Sequence, residues 1–175
     1  MTTPNEALGG PGAGADGDPL PEALALVRGA SEAGHQLKIL GGLGVRVLCP
    51  DFPPRLRAGQ DIDLACLSKN RRKIADHLEG AGCEPDKRFN NLNGDRQMYF
   101  TAPSGRPIDV MVDRLSMCHT LDFKASFGSS SLTLDPADLI LGNTPLPAEP
   151  VEFFRRDRTQ VPAGEKLGRS ELKNF

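Results

Sequence analysis

Apolar side chains recur every three or four residues in two parts of the chain, which is the spacing of one helical face. In residues 20–34 these positions are Leu20, Leu24, Val27 and Ala30. Pro21 suits a first helical turn, and Gly34 suits a C-terminal stop. Residues 70–80 repeat the spacing behind a basic first turn and end at Gly80. We therefore predict a helix in each segment.

Shorter apolar or alternating runs elsewhere are typical of strands. They occupy residues 37–40, 61–67 and 106–113. The first run leads through Gly41-Gly42 into residues 43–49, an apolar stretch that we interpret as a helix, and residues 51–60 form a loop. In this arrangement of strand, glycine turn and helix N-terminus, exposed backbone N–H groups can donate hydrogen bonds to phosphate oxygens. This arrangement is a candidate phosphate site.

A β-hairpin is predicted for residues 83–102. Two strand-like runs flank the polar link of residues 90–95, and the second run is residues 97–101. Asn93-Gly94 is the strongest short hairpin signal in the sequence. Taken with the helices, these strands predict the α/β (α+β) class.

The two ends of the chain differ in composition from its middle. Residues 1–19 contain almost no large apolar side chain and are predicted to be a disordered tail. Residues 20–141 form one predicted domain, whose last segment resembles a helix start that Gly142 breaks. Residues 142–175 are rich in Pro, Arg and Gly, and we assign them no packed structure.

Charge and cysteine content narrow the functional classes. A formal net charge of −2 gives no general attraction for nucleic acid. Any such partner would need a local patch, for which the basic side chains are Arg55, Arg57, Arg71, Arg72 and Lys73. The cysteines form no CxxC pair and the histidines have no ligand spacing, so we predict no zinc site. No apolar run approaches the roughly 20 residues of a membrane span, and the expected compartment is the cytoplasm.

Asp61 and Asp63 are the candidate chemical groups at the start of the second predicted strand. Residues two apart on a strand share one face and are separated by about 7 Å, so both carboxylates could reach a metal pair about 4 Å across. The Asp-x-Asp pattern alone is weak, because it also occurs at Asp16 and Asp18. A later strand adds Asp109, and Asp113 on the same face is the alternative third carboxylate.

A family resemblance is carried by three motifs taken together, namely Gly41-Gly42, Arg57-x-x-x-Asp61-Ile62-Asp63 and Ile108-Asp109-Val110. They resemble the polymerase-beta-type nucleotidyltransferase superfamily, whose pattern is Gly-Gly or Gly-Ser, then Asp-x-Asp, then an acidic residue on a neighbouring strand. Residues 137–141 make the chain most similar to the minimal and the AbiE-type toxin nucleotidyltransferases. The resemblance spans residues 37–141 and implies a nucleotidyltransferase-like domain with a mixed β-sheet flanked by helices.

The resemblance implies a Mg²⁺-dependent enzyme. Asp61 and Asp63 would bind two Mg²⁺ ions, and Asp109 would help to hold the catalytic metal. A nucleoside monophosphate would pass from a nucleoside triphosphate to an acceptor hydroxyl, with pyrophosphate leaving.

The same resemblance implies how the substrates are held. The Gly41-Gly42 turn would contact the triphosphate, and Arg57 is a candidate phosphate clamp because its guanidinium matches phosphate geometry. The acceptor could be RNA, with tRNA favoured, or a protein or a small molecule such as an aminoglycoside. An antitoxin or another partner protein could accompany a toxin of this kind.

The chain departs from the AbiE-type pattern after residue 141. Gly142 and Asn143 stand where relatives carry a Thr-Lys pair, so the phosphate-contacting lysine is missing. The helical region that completes the relatives' pocket is also replaced by a Pro/Arg-rich segment. The alternative hypothesis is therefore a catalytically silent nucleotidyltransferase-like module that binds or regulates.

Overall fold

The computed structural model describes residues 17–51, 60–116 and 120–143. The helices in these ranges are α1 (Leu20–Glu32), α2 (Gly41–Leu48), α3 (Arg71–Gly80), α4 (Lys87–Asn93) and α5 (Pro136–Asn143). The strands are β1 (Lys38–Ile39), β2 (Ile62–Cys66), β3 (Glu84–Pro85), β4 (Gln97–Thr101), β5 (Pro107–Val112), β6 (Arg114–Ser116) and β7 (Thr120–Asp122).

Five strands form one sheet in the order β1-β2-β5-β4-β3. The central pair, β2 and β5, is parallel, and the other neighbours are antiparallel. Strands β6 and β7 form a separate antiparallel pair. The predicted mixed sheet with flanking helices is therefore confirmed.

The main hydrophobic core lies on one face of this sheet. Successive side chains of a strand point to opposite faces, so Ile62 and Leu64 of β2 share a face with Ile108 and Val110 of β5. All four are fully buried and belong to one cluster with residues of α1 and α3. The alternate residues of the same two strands, including Asp63 and Asp109, consequently face the other way.

A second cluster covers part of that other face. It joins Leu40 and Ala65 to Phe123, Phe127 and other buried residues of the chain after β7 and of α5. Lys38 of β1 anchors this region, because its Nζ donates to the carbonyl oxygens of Ser129, Ser131 and Thr133. Only 2% of the Lys38 surface is exposed, and this burial lowers the pKa of its ammonium group.

Both predicted long helices are present, as α1 and α3. Helix α1 ends as expected, because Gly34 adopts φ +74 just beyond it. The residues just before α1 were predicted to belong to the disordered tail, but they contact the domain from Gly17 onwards. Asp18 forms a bidentate ion pair with Arg46 of α2, and Pro19 is buried.

The predicted hairpin at Asn93-Gly94 is wrong. Strands β3 and β4 do pair, but helix α4 connects them. Asp86 caps this helix by accepting from the backbone N–H of Phe89. A type I′ turn requires positive φ at both central residues, whereas Gly94 has φ −64.

The side chain of Asn90 also stabilises the connection. Its amide accepts from the backbone N–H of Tyr99 and donates to the carbonyl oxygen of Tyr99. Helix α4 is therefore attached to β4 by a side chain that the sequence pattern placed in a polar link.

At the end of the described chain, α5 starts where the sequence suggested and continues through Gly142 to Asn143. Most of the predicted N-terminal tail, and the chain from residue 144 onwards, lie outside the described residues. Within the described ranges, no helix has both the length and the apolar character needed to cross a bilayer.

Candidate metal centre

Three carboxylates meet on the sheet face opposite the main core. Asp61 immediately precedes β2, Asp63 lies within it, and Asp109 is the register partner of Asp63 in the parallel strand β5. One oxygen of each side chain lies within 4.8 Å of an oxygen of each of the others. Adjacent parallel strands thus bring together acidic residues that are more than forty positions apart in sequence.

The surroundings of these carboxylates differ. Asp61 is exposed, whereas Asp63 and Asp109 are partly buried. Burial, with smaller contributions from the charges of Asp61 and Asp109, raises the pKa of Asp63 to about 7. Crowded carboxylates repel one another when all are ionised, and a bound cation relieves that repulsion.

The N-terminus of α2 packs directly against Asp63. Gly41 adopts φ +65 there, and a Cβ at this position would lie 2.7 Å from Oδ2 of Asp63. The backbone N–H of Leu40 donates to the carbonyl oxygen of Asp63 at 2.9 Å. A glycine is therefore needed at position 41 for both backbone conformation and space.

Gly42 has a different environment. No atom lies within 4 Å of the position that a Cβ would occupy, and the residue is exposed. The first turn of an α-helix has backbone N–H groups without intrahelical partners, and its dipole favours anions. The N-terminus of α2 thus offers backbone N–H groups that could donate hydrogen bonds to phosphate oxygens beside the carboxylates.

Gln97 of β4 is a member of the site that the sequence analysis did not identify. Its Nε2 donates to Oδ1 of Asp109 at 2.6 Å. In the antiparallel β4–β5 pair, Gln97 lies opposite Met111 and Tyr99 lies opposite Asp109. Gln97 is two residues from Tyr99 and so shares the sheet face of Asp109. The sequence could have indicated Gln97 only if the pairing of β4 with β5 had been known.

Asp113, the alternative third carboxylate, lies elsewhere. It follows the end of β5 with φ +62, and its Oδ1 accepts from the backbone N–H of Ser68 at 2.8 Å. Its backbone N–H donates to the carbonyl oxygen of Cys66 at the far end of β2. The structure brings Asp109, and not Asp113, to Asp61 and Asp63.

Arg57, the candidate phosphate clamp, lies outside the described residues. Arg106, in contrast, is buried just before β5 and donates from Nη1 to the carbonyl oxygen of Gln60. Its Nη2 donates to the carbonyl oxygen of Gly17, and its Nε lies 3.6 Å from a carboxylate oxygen of Glu22. Arg106 therefore attaches the residue before Asp61 to the start of α1.

The donor set fits a small divalent cation. Carboxylate oxygens are the ligands that Mg²⁺ and Mn²⁺ prefer, with Mg–O distances of about 2.1 Å. Adjacent ligands of an octahedral ion are then about 3.0 Å apart and opposite ligands about 4.2 Å, and the three oxygens lie within 4.8 Å of one another. Asp61, Asp63 and Asp109 could therefore hold such an ion once their side chains draw together around it.

Comparison with known proteins gives limited information. No family model and no curated protein matches the chain. Among solved structures, the chain is similar to the crystal structure of ANT(2")-Ia in complex with adenylyl-2"-tobramycin, with 15% sequence identity and a TM-score of 0.44. The match covers 60% of this chain and 55% of that chain, so it spans little more than half the length of that protein. A similarity of this degree assigns no activity to the chain, whose function is therefore proposed from its own site.

Proposed function

We propose that the protein is a Mg²⁺-dependent nucleotidyltransferase of the polymerase-beta type, which transfers a nucleoside monophosphate from a nucleoside triphosphate to an acceptor hydroxyl. The observation that carries the proposal is the convergence of Asp61, Asp63 and Asp109 to within 4.8 Å beside the N-terminus of α2. The sequence motifs of this superfamily supply the same three acidic positions and the same Gly-Gly turn.

Each described group has a distinct role in the proposed reaction. Asp61, Asp63 and Asp109 hold the divalent metal, which when bound neutralises charge on the attacking and leaving oxygens. The α2 terminus at Gly41-Gly42 receives phosphate oxygens through backbone N–H groups. The acceptor oxygen forms a bond to the α-phosphorus as the bond to the pyrophosphate oxygen breaks.

The electrostatic surroundings of Asp63 support this assignment over a purely structural role for the carboxylates. Ion pairs hold Asp18 and Glu22 in the described structure, whereas the causes of the raised Asp63 pKa are burial and two further negative charges. A carboxylate that stabilises the fold is expected to have its pKa lowered by a basic partner, as Arg46 lowers that of Asp18, because burial beside like charges disfavours the ionised form.

Titration calorimetry with each of the four ribonucleoside triphosphates, in Mg²⁺ or in EDTA, tests the proposal. We expect binding that requires Mg²⁺ and that falls at least tenfold in Asp61→Asn and in Asp63→Asn. Asp76→Asn is the matched control, because Asp76 is exposed on α3 and should leave the affinity unchanged. Unchanged affinity in both site variants would exclude this nucleotide site.

Stability measurements separate a metal site from a structural one. At pH 8, where Asp63 is ionised above its pKa of about 7, replacing it by neutral Asn removes a charge from a crowded acidic group, so the metal-free variant should unfold at an equal or higher urea concentration than the wild type. A variant that both loses nucleotide binding and loses stability would instead indicate a structural carboxylate.

Transfer of a labelled nucleoside monophosphate then identifies the acceptor. The resemblance to AbiE-type enzymes puts tRNA first among the acceptors to test, before a protein hydroxyl and a small molecule. Metal-dependent nucleotide binding without transfer to any of them would indicate the silent binding module.

A further inference from the structure

The hydrogen bond from Gln97 to Asp109 joins a third strand to the acidic cluster. Asp63 and Asp109 come from β2 and β5, and Gln97 comes from β4, on the other side of β5. The Nε2–Oδ1 distance of 2.6 Å is short for an amide donor, as expected when the acceptor is charged. Gln97 itself is partly buried, so water competes only partially for its amide group.

The chemistry of this contact suits a carboxylate that binds a cation. An ionised carboxylate has two oxygens and about four acceptor positions, of which the Gln97 amide occupies one. The amide is neutral and adds no positive charge that would compete with a metal ion. A lysine or arginine in its place would add positive charge and weaken the attraction for a cation.

The contact also opposes a specific distortion. Ionised Asp61 and Asp63 repel Asp109, and rotation of the Asp109 side chain would separate the three oxygens. Strand β4 is held to β5 by a five-residue register from Gln97↔Met111 to Thr101↔Pro107. The backbone of Gln97 is therefore fixed relative to the backbone that carries Asp109, and the hydrogen bond holds its amide at the carboxylate.

We propose that Gln97 is a positioning residue, which orients the carboxylate of Asp109 for divalent cation binding by donating a hydrogen bond to its Oδ1. This inference rests on the proposed function, because it gives a role to a neighbour of the same metal site. Partners that orient metal ligands in this way commonly change metal affinity by 10–100-fold when they are removed.

Binding of Mn²⁺ to the full chain, measured by calorimetry, tests this role without any substrate. Gln97→Met keeps the length of the side chain and removes the donor, and Gln97→Asn keeps the amide but withdraws it by one methylene. We expect the dissociation constant to rise by about 10-fold or more in both variants. Gln36→Met is the matched control, because the Gln36 amide also donates a hydrogen bond but to the carbonyl oxygen of Phe127.

Two further readouts distinguish positioning from a general effect on folding. The melting temperature of Gln97→Met should stay within about 3 °C of the wild type, since the lost hydrogen bond contributes about 1 kcal/mol. Raising the Mg²⁺ concentration should restore binding of the nucleoside triphosphate in this variant, because the defect lies in metal affinity.

The outcomes are separable. If the wild type binds Mn²⁺ and both Gln97 variants bind it with the same affinity, the role of Gln97 is excluded while the proposed function stands. If the wild type binds no Mn²⁺, the metal centre is excluded and the role of Gln97 with it. If Gln97→Asn unfolds but Gln97→Met remains folded, the Mn²⁺ affinity of the latter decides.

Discussion

Replacement of Gly41 by Ala should destabilise the fold and disrupt the acidic cluster at the same time. At φ +65 an L-residue costs about 1–2 kcal/mol relative to glycine. The added Cβ would also approach Oδ2 of Asp63 to 2.7 Å, where ordinary contacts begin near 3.4 Å. Either α2 or the Asp63 side chain must therefore move.

The expected loss is about 2–3 kcal/mol of unfolding free energy when the backbone strain and the displaced contact are combined. For a chain of this size, that corresponds to a fall of about 5–10 °C in melting temperature. Since the contact is with a proposed metal ligand, the Mn²⁺ affinity of Gly41→Ala should fall as well.

Gly42→Ala supplies the matched control for this prediction. The same methyl group at position 42 meets no atom within 4 Å, and Ala is favoured over Gly in a helix by up to about 1 kcal/mol. We expect this variant to be neutral or slightly more stable in urea denaturation. If the two variants differ by less than about 0.5 kcal/mol, the close approach of α2 to Asp63 is not a feature of the protein.

Three other predictions concern residues outside the site. Cys49 is exposed, whereas Cys66 is buried, and the pKa of Cys66 is raised to about 12 mainly by that burial and also by the charge of Asp113. Peptide mapping after iodoacetamide treatment at pH 8 should therefore find Cys49 alkylated and Cys66 intact. Rapid labelling of Cys66 would contradict its burial in β2. Lys38→Met should cost about 1–3 kcal/mol in urea denaturation, because it leaves the buried carbonyl oxygen of Thr133 and the part-buried ones of Ser129 and Ser131 without their ammonium donor; an unchanged stability would contradict this. The ion pair with Arg46 lowers the pKa of Asp18 from 3.8 to about 2, so its stabilisation is present above pH 3.8 and is lost as the pH falls toward 2. Because Asp18 is partly exposed, Asp18→Asn should cost only about 0.5–1 kcal/mol at pH 6 and less at pH 3, and an equal cost at both pH values would exclude the ion pair.

The acidic cluster illustrates which parts of a site a sequence can indicate. Asp61 and Asp63 were identifiable because an Asp-x-Asp motif at the start of a strand puts both side chains on one face. The sequence favoured Asp109 over Asp113 because Ile108 and Val110 flank it, although alternation along one strand is the same for both. The choice depended on where β5 ends, since the backbone turns at Asp113 with φ +62.

The connection between β3 and β4 shows a different limit. Asn93-Gly94 is a hairpin signal when the flanking residues are extended. Here the cap by Asp86 and the two hydrogen bonds between Asn90 and Tyr99 stabilise a helix in the same residues. These contacts join residues up to nine positions apart, and the local dipeptide signal does not include them.

The sequence by itself determined the helices and strands whose apolar residues recur at a regular spacing. Helices α1 and α3 and strands β2 and β5 follow from the spacing of apolar residues, because each element must bury one face or both. Only the tertiary structure decided how these elements meet, including the parallel pairing that puts Asp63 beside Asp109 and the β4 neighbour that brings Gln97 to the same carboxylate. The reason is physical: side-chain periodicity is a local property of the chain, whereas strand order and register are set by long-range packing.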